Sequence, residues 1–160
     1  MTFSLTSKDL TDGATLPDSH VYAAGNASPH LSWSGAPEGT KSFAITCFDP
    51  DAPTGSGFWH WTVANIPADV TELAQGAGQV DGANLPKGAV QGRTDFGQAG
   101  YGGAAPPAGH GPHRYIFTVF AVDTEALEVG ADDSGAVYGF NLHFHTLAKA
   151  SLTATYENRA

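Results

Sequence analysis

The feature that most restricts how this chain can fold is an apolar run that ends in a double-proline loop and returns at once. Phe43-Ala44-Ile45-Thr46-Cys47-Phe48 stops at Asp49-Pro50-Asp51-Ala52-Pro53. Pro50 and Pro53 fix φ at two positions and bias Asp49 and Ala52 toward extended geometry, so the loop has few conformations to lose on folding. Beyond Gly55-Ser56-Gly57 the chain comes back as Phe58-Trp59-His60-Trp61-Thr62-Val63, aromatic and β-branched. The stretch reads as strand, stiff loop, strand. It brings two carboxylates and an imidazole to one edge of a β-structure, and its rigidity suits a preformed site.

The flanks say β as well. Phe3-Ser4-Leu5-Thr6 and His30-Leu31-Ser32-Trp33-Ser34 alternate apolar and polar residues and end in turn signals. Strands are expected at 41–48, 58–65 and 115–122, with one helical turn over 69–75. Residues 76–112 are dominated by Gly, Pro and Ala. So long an irregular segment is usually a functional loop or a disordered one. The anchors Phe96 and Tyr101 and the prolines Pro106 and Pro107 favour a functional loop. Asp132-Asp133-Ser134 offers N-caps for a helix over about 134–149, with Val137, Phe140, Phe144, Leu147 and Ala148 as its apolar stripe. A last strand follows at 151–156. The order lacks βαβ alternation, so the sheets should be antiparallel.

Length and charge narrow the function. A chain of 160 residues fits one domain, 1–160, and buries roughly 70% of its unfolded surface. Seven Lys and Arg against sixteen Asp and Glu give a formal charge of −9. That balance argues against general binding of nucleic acid or anionic membranes, both of which draw on clustered positive charge. No apolar run approaches the ~20 residues that cross a bilayer, so no integral membrane segment is expected. One cysteine cannot form an internal disulfide, and residues 1–25 lack the pattern of a secretory signal, which points to the cytoplasm.

The second informative stretch, Gly103 to Tyr115, runs through Pro106-Pro107 and Gly109-His110-Gly111-Pro112 to His113-Arg114-Tyr115. Period two places His113 and Tyr115 on one face at the mouth of a strand and Arg114 on the other, where an ion pair or a backbone bond is its expected role. Two imidazoles and a phenol can donate to an anion. Asp49 and Asp51 would repel it, so they are expected to orient and charge the histidines or to meet an ammonium group; the plainer alternative is that they hold a turn. His60, between Trp59 and Trp61, reads equally well as a satisfied core histidine. Trp33, Trp59 and Trp61 are expected in the core, and Cys47 as a buried, inert thiol. His143 and His145 are read as solvated or capping.

Asp-Pro-Asp-Ala-Pro at 49–53, the Trp-His before a strand ending in Asn65, and Pro-Pro followed by His-Arg-Tyr at 113–115 resemble the signature segments of the phosphatidylethanolamine-binding protein family, in particular its bacterial Raf-kinase-inhibitor-like branch. The likeness runs from Phe3 to Tyr156. It implies a Greek-key β-sandwich of two antiparallel sheets, with one C-terminal helix and a long Gly/Pro-rich loop. It also implies a small anion pocket, for a phosphate, a carboxylate or a head group such as phosphoethanolamine, and no agreed catalytic activity. By position the pocket would comprise Asp49, Asp51, Pro53, His60, Gly103, Pro106, His113 and Tyr115, with a cis Ala52–Pro53 bond and no cofactor or metal. Regulation of a kinase or protease and a homodimer are further implications. Ala104-Ala105 stands where bacterial relatives often carry Pro-Cys, and His110 is placed to add a donor at the rim. A metal-dependent hydrolase using the two acids and two histidines is the alternative enzymatic reading.

Overall fold

The computed structural model describes residues 2–159. Two antiparallel sheets carry the fold. The smaller comprises β1 (Ser4–Thr6), β2 (Leu31–Ser34) and β5 (Glu72–Leu73), in the order β1-β2-β5. The larger comprises β3 (Ser42–Asp49), β4 (Phe58–Pro67), β6 (Val90–Gln91), β7 (His113–Val122) and β8 (Thr146–Tyr156), in the order β6-β4-β3-β7-β8. The apolar run of β3 earns the central position because both of its faces are covered, with seven of its eight residues buried. Between the sheets Trp33, Phe43, Ile45, Trp61, Phe117 and Val119 form the main core. A smaller cluster around Tyr138, Leu142, Ala64 and Leu127 lies under α1 (Gly135–His145) on the other side of the large sheet.

Residues 69–75 form a turn and β5 rather than a helical turn. The segment 76–112 is ordered along the far edge of β4, where Gly92 and Gly102 donate to the carbonyls of Thr62 and His60 at 2.9 Å each, and Asp95 donates to that of Trp59 at 3.1 Å. Tyr101 is buried and its hydroxyl donates to the His20 carbonyl at 2.8 Å. The anchors therefore act as expected.

The C-terminal helix differs from the expectation in length and in face. It is capped by Ser134, whose hydroxyl accepts from Val137 N–H, but it ends at His145, and β8 starts at the next residue. Pairing with the whole of β7, from Val122↔Thr146 to His113↔Tyr156, overrides the weak helical pattern of 146–149. The helix buries Gly135, Tyr138 and Leu142, while Val137, Phe140 and Phe144 are 38%, 67% and 64% exposed. A close approach fixes this face: a Cβ at Gly135 would lie 2.2 Å from Trp59 Cγ. Tyr138 is held on the same side by its hydroxyl, which donates to the Gly130 carbonyl at 3.0 Å.

Candidate functional site

His60 owes its orientation to a break in strand register. Cys47 opposes Trp61 and Phe48 opposes Trp59, so His60 is the extra residue of a β-bulge in β4. Such bulges re-aim a side chain, and here the free backbone carbonyl of His60 accepts from Gly102 N–H at 2.9 Å. In return His60 Nδ1–H donates to the Gly102 carbonyl at 2.8 Å. A carbonyl can only accept, so the neutral ring carries its hydrogen on Nδ1 and presents a lone pair at Nε2. Trp61 is fully buried, and its indole N–H donates to Gln91 Oε1 at 3.0 Å.

Asp49, at the end of β3, supplies both of its oxygens to the protein. Oδ1 accepts from Asp51 N–H at 2.7 Å, and Oδ2 accepts from His113 Nδ1–H at 2.7 Å. The turn-holding and histidine-orienting roles are thus combined in one buried side chain. Beyond it, His113 Nε2 lies 2.7 Å from His110 Nδ1, and one hydrogen bridges the two rings. His110 thus reaches His113 as a partner.

Asp51 turns the other way. Its carboxylate accepts from Arg114 Nε–H at 2.9 Å, from Arg114 Nη2–H at 2.8 Å and from Arg114 N–H at 2.9 Å. The guanidinium holds the Asp51 carboxyl down at about 2. Asp51 is therefore a clamp between loop and strand, and it does not line the pocket. Gly103 also lies off the pocket: its N–H donates to Asn26 Oδ1 at 2.7 Å, and a Cβ would meet the His20 carbonyl at 2.2 Å. The Ala52–Pro53 bond is trans, not cis. Thr54 N–H donates to the Ala52 carbonyl at 2.8 Å, closing a three-residue turn on Pro53. The fixed φ of proline suits such a turn, so the chain reverses with the more stable isomer.

Asp49, Pro53, His60, Pro106, His113 and Tyr115 do converge, around a cavity of about 220 Å³. That is below the ~300–1,000 Å³ of sites for drug-sized ligands, so there is room only for a small group. Phe58, Phe96 and Pro107 complete the walls. Phe58 could have been read from its place two residues before His60; their ring centroids are 4.8 Å apart. Phe96 meets both rings edge-on, and its outer face stacks on the half-exposed Tyr22 at 4.5 Å. His60 and Tyr115 stand edge to face at 5.2 Å.

The Tyr115 hydroxyl is buried; its oxygen faces the Ala105 backbone N–H, and its O–H finds no acceptor in the protein. Burial first, and the Asp49 carboxylate second, push it well above the ordinary tyrosine range, so it stays an O–H. Burial also lowers the His60 imidazole from its ordinary 6.5, against the pull of the Gly102 carbonyl and Asp49. Cys47 is buried, and burial followed by Asp49 raises its thiol far above 9.0, which makes it the inert thiol expected. Among the described residues no group of three or more His, Cys, Asp and Glu side chains is disposed to hold a metal ion. No helix there is long and apolar enough to cross a membrane.

Comparison with known proteins decides the family. The family model for phosphatidylethanolamine-binding protein matches residues 6–157. The chain belongs to the phosphatidylethanolamine-binding protein family. Within it, the chain is 57% identical over 157 residues to the UPF0098 protein YbhB of Escherichia coli K12, covering 95% of this chain and 98% of that one. It is 55% identical over 160 residues to the UPF0098 protein YbcL of the same strain, with coverages of 97% and 87%. The crystal structure of Escherichia coli YbcL superposes with a TM-score of 0.96 at 54% identity, covering 98% of this chain and 99% of that one. The antiparallel sheets, the C-terminal helix and the long Gly/Pro-rich loop are thus the fold of this family.

Proposed function

We propose that the chain is a non-enzymatic binding protein whose pocket takes a small anionic group: a phosphate, a carboxylate or the phosphorylated head group of a lipid. The observation that carries this reading is the Tyr115 O–H, buried without an acceptor at a cavity that also holds His60 and His113. A buried hydroxyl left unpaired costs about 1–3 kcal/mol, a cost that a bound acceptor would remove. Asp49, with both oxygens engaged, serves as a support for His113. The lone buried thiol suits a cytoplasmic setting. Acetate, phosphate and phosphoethanolamine titrated against the histidine NMR signals test the proposal. Shifts of His60 and His113 that saturate at millimolar ligand are expected; unmoved signals for all three ligands refute it.

A second reading concerns the exposed helix face. Phe140 and Phe144 project beside a depression of about 450 Å³ lined by Trp59, Phe120, Leu142 and Leu147. Projection and depression on one patch are what a two-fold contact between identical chains requires. We assign this face to a homodimer. Light scattering should show a dimer that Phe140→Glu splits, and a monomeric wild-type chain at tens of micromolar would discard the assignment.

A further inference from the structure

His110 lies outside the pocket lining, yet it ends a chain of three hydrogen-bonded side chains. Its Nδ1 is 2.7 Å from His113 Nε2, and His113 Nδ1 is 2.7 Å from Asp49 Oδ2. The direction of the hydrogens follows from the inner end. An ionised carboxylate only accepts, so His113 Nδ1 carries a hydrogen; a neutral His113 then has a lone pair at Nε2, which accepts from His110 Nδ1–H, and a neutral His110 is left with a lone pair at Nε2. A carboxylate that fixes an imidazole, whose second nitrogen can take a proton from a third group, is the arrangement that activates a nucleophile. Here the third group is itself an imidazole. The loop presents this ring to solvent: His113 and Asp49 are buried, whereas His110 is exposed. Gly109 and Gly111 on either side have φ of +74° and +92°, which glycine adopts without strain, and nothing lies within 4 Å of where a Cβ would stand on either. His110 N–H donates to the Pro107 carbonyl at 3.2 Å and Gly109 N–H to the Asn158 carbonyl at 2.8 Å, so the backbone holds the ring over His113. The other histidines each lack a part of this. The buried rings of His20 and His60 donate from Nδ1 to backbone carbonyls, which take no proton, and His30 has both nitrogens engaged, by Lys8 N–H and Glu72. His145 has only the half-exposed Asp123 carboxylate behind it, and His143 packs edge-on to Phe144.

We propose that His110 is a site of covalent acylation: its Nε2 attacks the carbonyl carbon of an uncharged activated acyl donor, an ester, thioester or anhydride, while His113 Nε2 takes the proton from His110 Nδ1. The bond that forms is Nε2–C. The bond that breaks joins the acyl carbon to the leaving oxygen or sulfur, which departs with the electron pair. The hydrogen crosses the 2.7 Å bridge, so the two rings stay bonded with His113 now the donor, and the imidazolium formed there is paired with Asp49. Charge balances, with the leaving group released as an anion and the proton kept on His113. An uncharged donor fits because the arginines at this end of the large sheet are engaged, Arg114 by Asp51 and Arg159 by Glu157. An anionic donor would come without compensation to a chain of formal charge −9.

Diethyl pyrocarbonate, an uncharged acyl donor whose carbethoxy adduct survives digestion, tests the proposal on the intact chain near neutral pH, with the labelling rate of each histidine read by mass spectrometry of its peptides. A positioned base typically contributes about 100-fold or more; for an exposed ring, His110 should be labelled at least about tenfold faster than His143 and His145. His113→Gln offers His110 an acceptor that cannot take a proton, and should bring His110 down to the rate of His143. Acetyl phosphate, an anionic donor, should show no preference for His110 over His143. Nitrogen NMR of the wild-type chain should find the His110 hydrogen on Nδ1, which with the wild-type rates decides the matter if His113→Gln does not fold. Labelling of His110 no faster than His143, an unchanged rate in His113→Gln, a hydrogen on His110 Nε2 in place of Nδ1, or acetyl phosphate as selective for His110 as diethyl pyrocarbonate overturns the proposal and leaves the anion pocket untouched.

Discussion

Replacing Tyr115 by phenylalanine should move stability and affinity in opposite directions. Tyr115 is 1% exposed, and its O–H finds no acceptor in the protein, although its oxygen faces the Ala105 backbone N–H. The ligand-free chain therefore carries a desolvated O–H worth about 1–3 kcal/mol against folding. A water in the cavity can meet part of that need, so the gain on removing the oxygen should sit at the low end, about 1 kcal/mol. The ring stays, and with it the edge-to-face contact with His60 at 5.2 Å. In the complex the same oxygen donates to an anion, a charge-assisted bond worth about 1.5–3 kcal/mol, so affinity should fall by roughly 10- to 150-fold. Urea unfolding of the empty protein and NMR titration with acetate read the two effects separately. A variant less stable than wild type by 1 kcal/mol or more would mean that the hydroxyl already has a partner inside the protein. An affinity within twofold of wild type would mean that it never meets the anion. Either result breaks the argument.

Other perturbations test the supports. Asp49→Asn sets an amide against His113 Nδ1–H in a buried site and should cost about 2–4 kcal/mol in urea unfolding; a loss under 1 kcal/mol would show that the pair is not structural. Asp51 titrates at about 2 in the folded chain against an ordinary 3.8, so its contribution is complete above about pH 4 and is lost as pH falls through 2. Because Arg114 is 56% exposed, solvent screening limits that contribution to about 1 kcal/mol, and Asp51→Asn should lose no more than this at pH 7 and progressively less as pH falls through 2. On the helix, Leu142→Ala should cost about 2–4 kcal/mol and Phe140→Ala under about 0.5 kcal/mol in the monomer, because Leu142 is 2% exposed and Phe140 67%. Equal losses would restore the stripe expected from sequence.

What could be read from the sequence was whatever depended on local chemistry. Proline and glycine placed the ends of β3 and β4 within about two residues, and β-branched and aromatic content placed β7. Asp49, His60, His113 and Tyr115 were identified and do meet. The misses came where a partner decides the outcome. Period two cannot show that β4 skips a residue at His60, since a bulge is a property of the pair β3–β4 and not of either strand. Asp49 and Asp51 look equivalent in sequence; Arg114, far along the chain, separates them by taking Asp51 for itself. The helix face was lost for a similar reason. Tyr138 and Gly135 look poor beside Phe140 and Phe144 on any hydrophobic count, yet Trp59 needs the space above Gly135. Residues 146–149 became strand because β7 had an unpaired edge to fill.

Three buried polar atoms among the described residues lack a partner, and comparing them shows why only one marks a site. Trp33 Nε1 belongs to a ring packed edge-on against Phe43 at 5.5 Å, inside the main core. Thr62 Oγ1 lies where β4 meets Gly92 and Tyr138, in a place so tight that a Cβ on Gly92 would come within 2.6 Å of it. Neither residue lines the pocket, and each is a fixed cost of packing large side chains closely. Tyr115 differs because it lines the pocket and because the groups around it are held with unusual completeness. Asp49 spends both oxygens, His113 both nitrogens and His60 its Nδ1, all within the protein. The site thus satisfies its supports and leaves one O–H donor and one ring-nitrogen lone pair uncommitted. The acids fix the frame: Asp49 holds His113 and the loop backbone, and Asp51 holds Arg114.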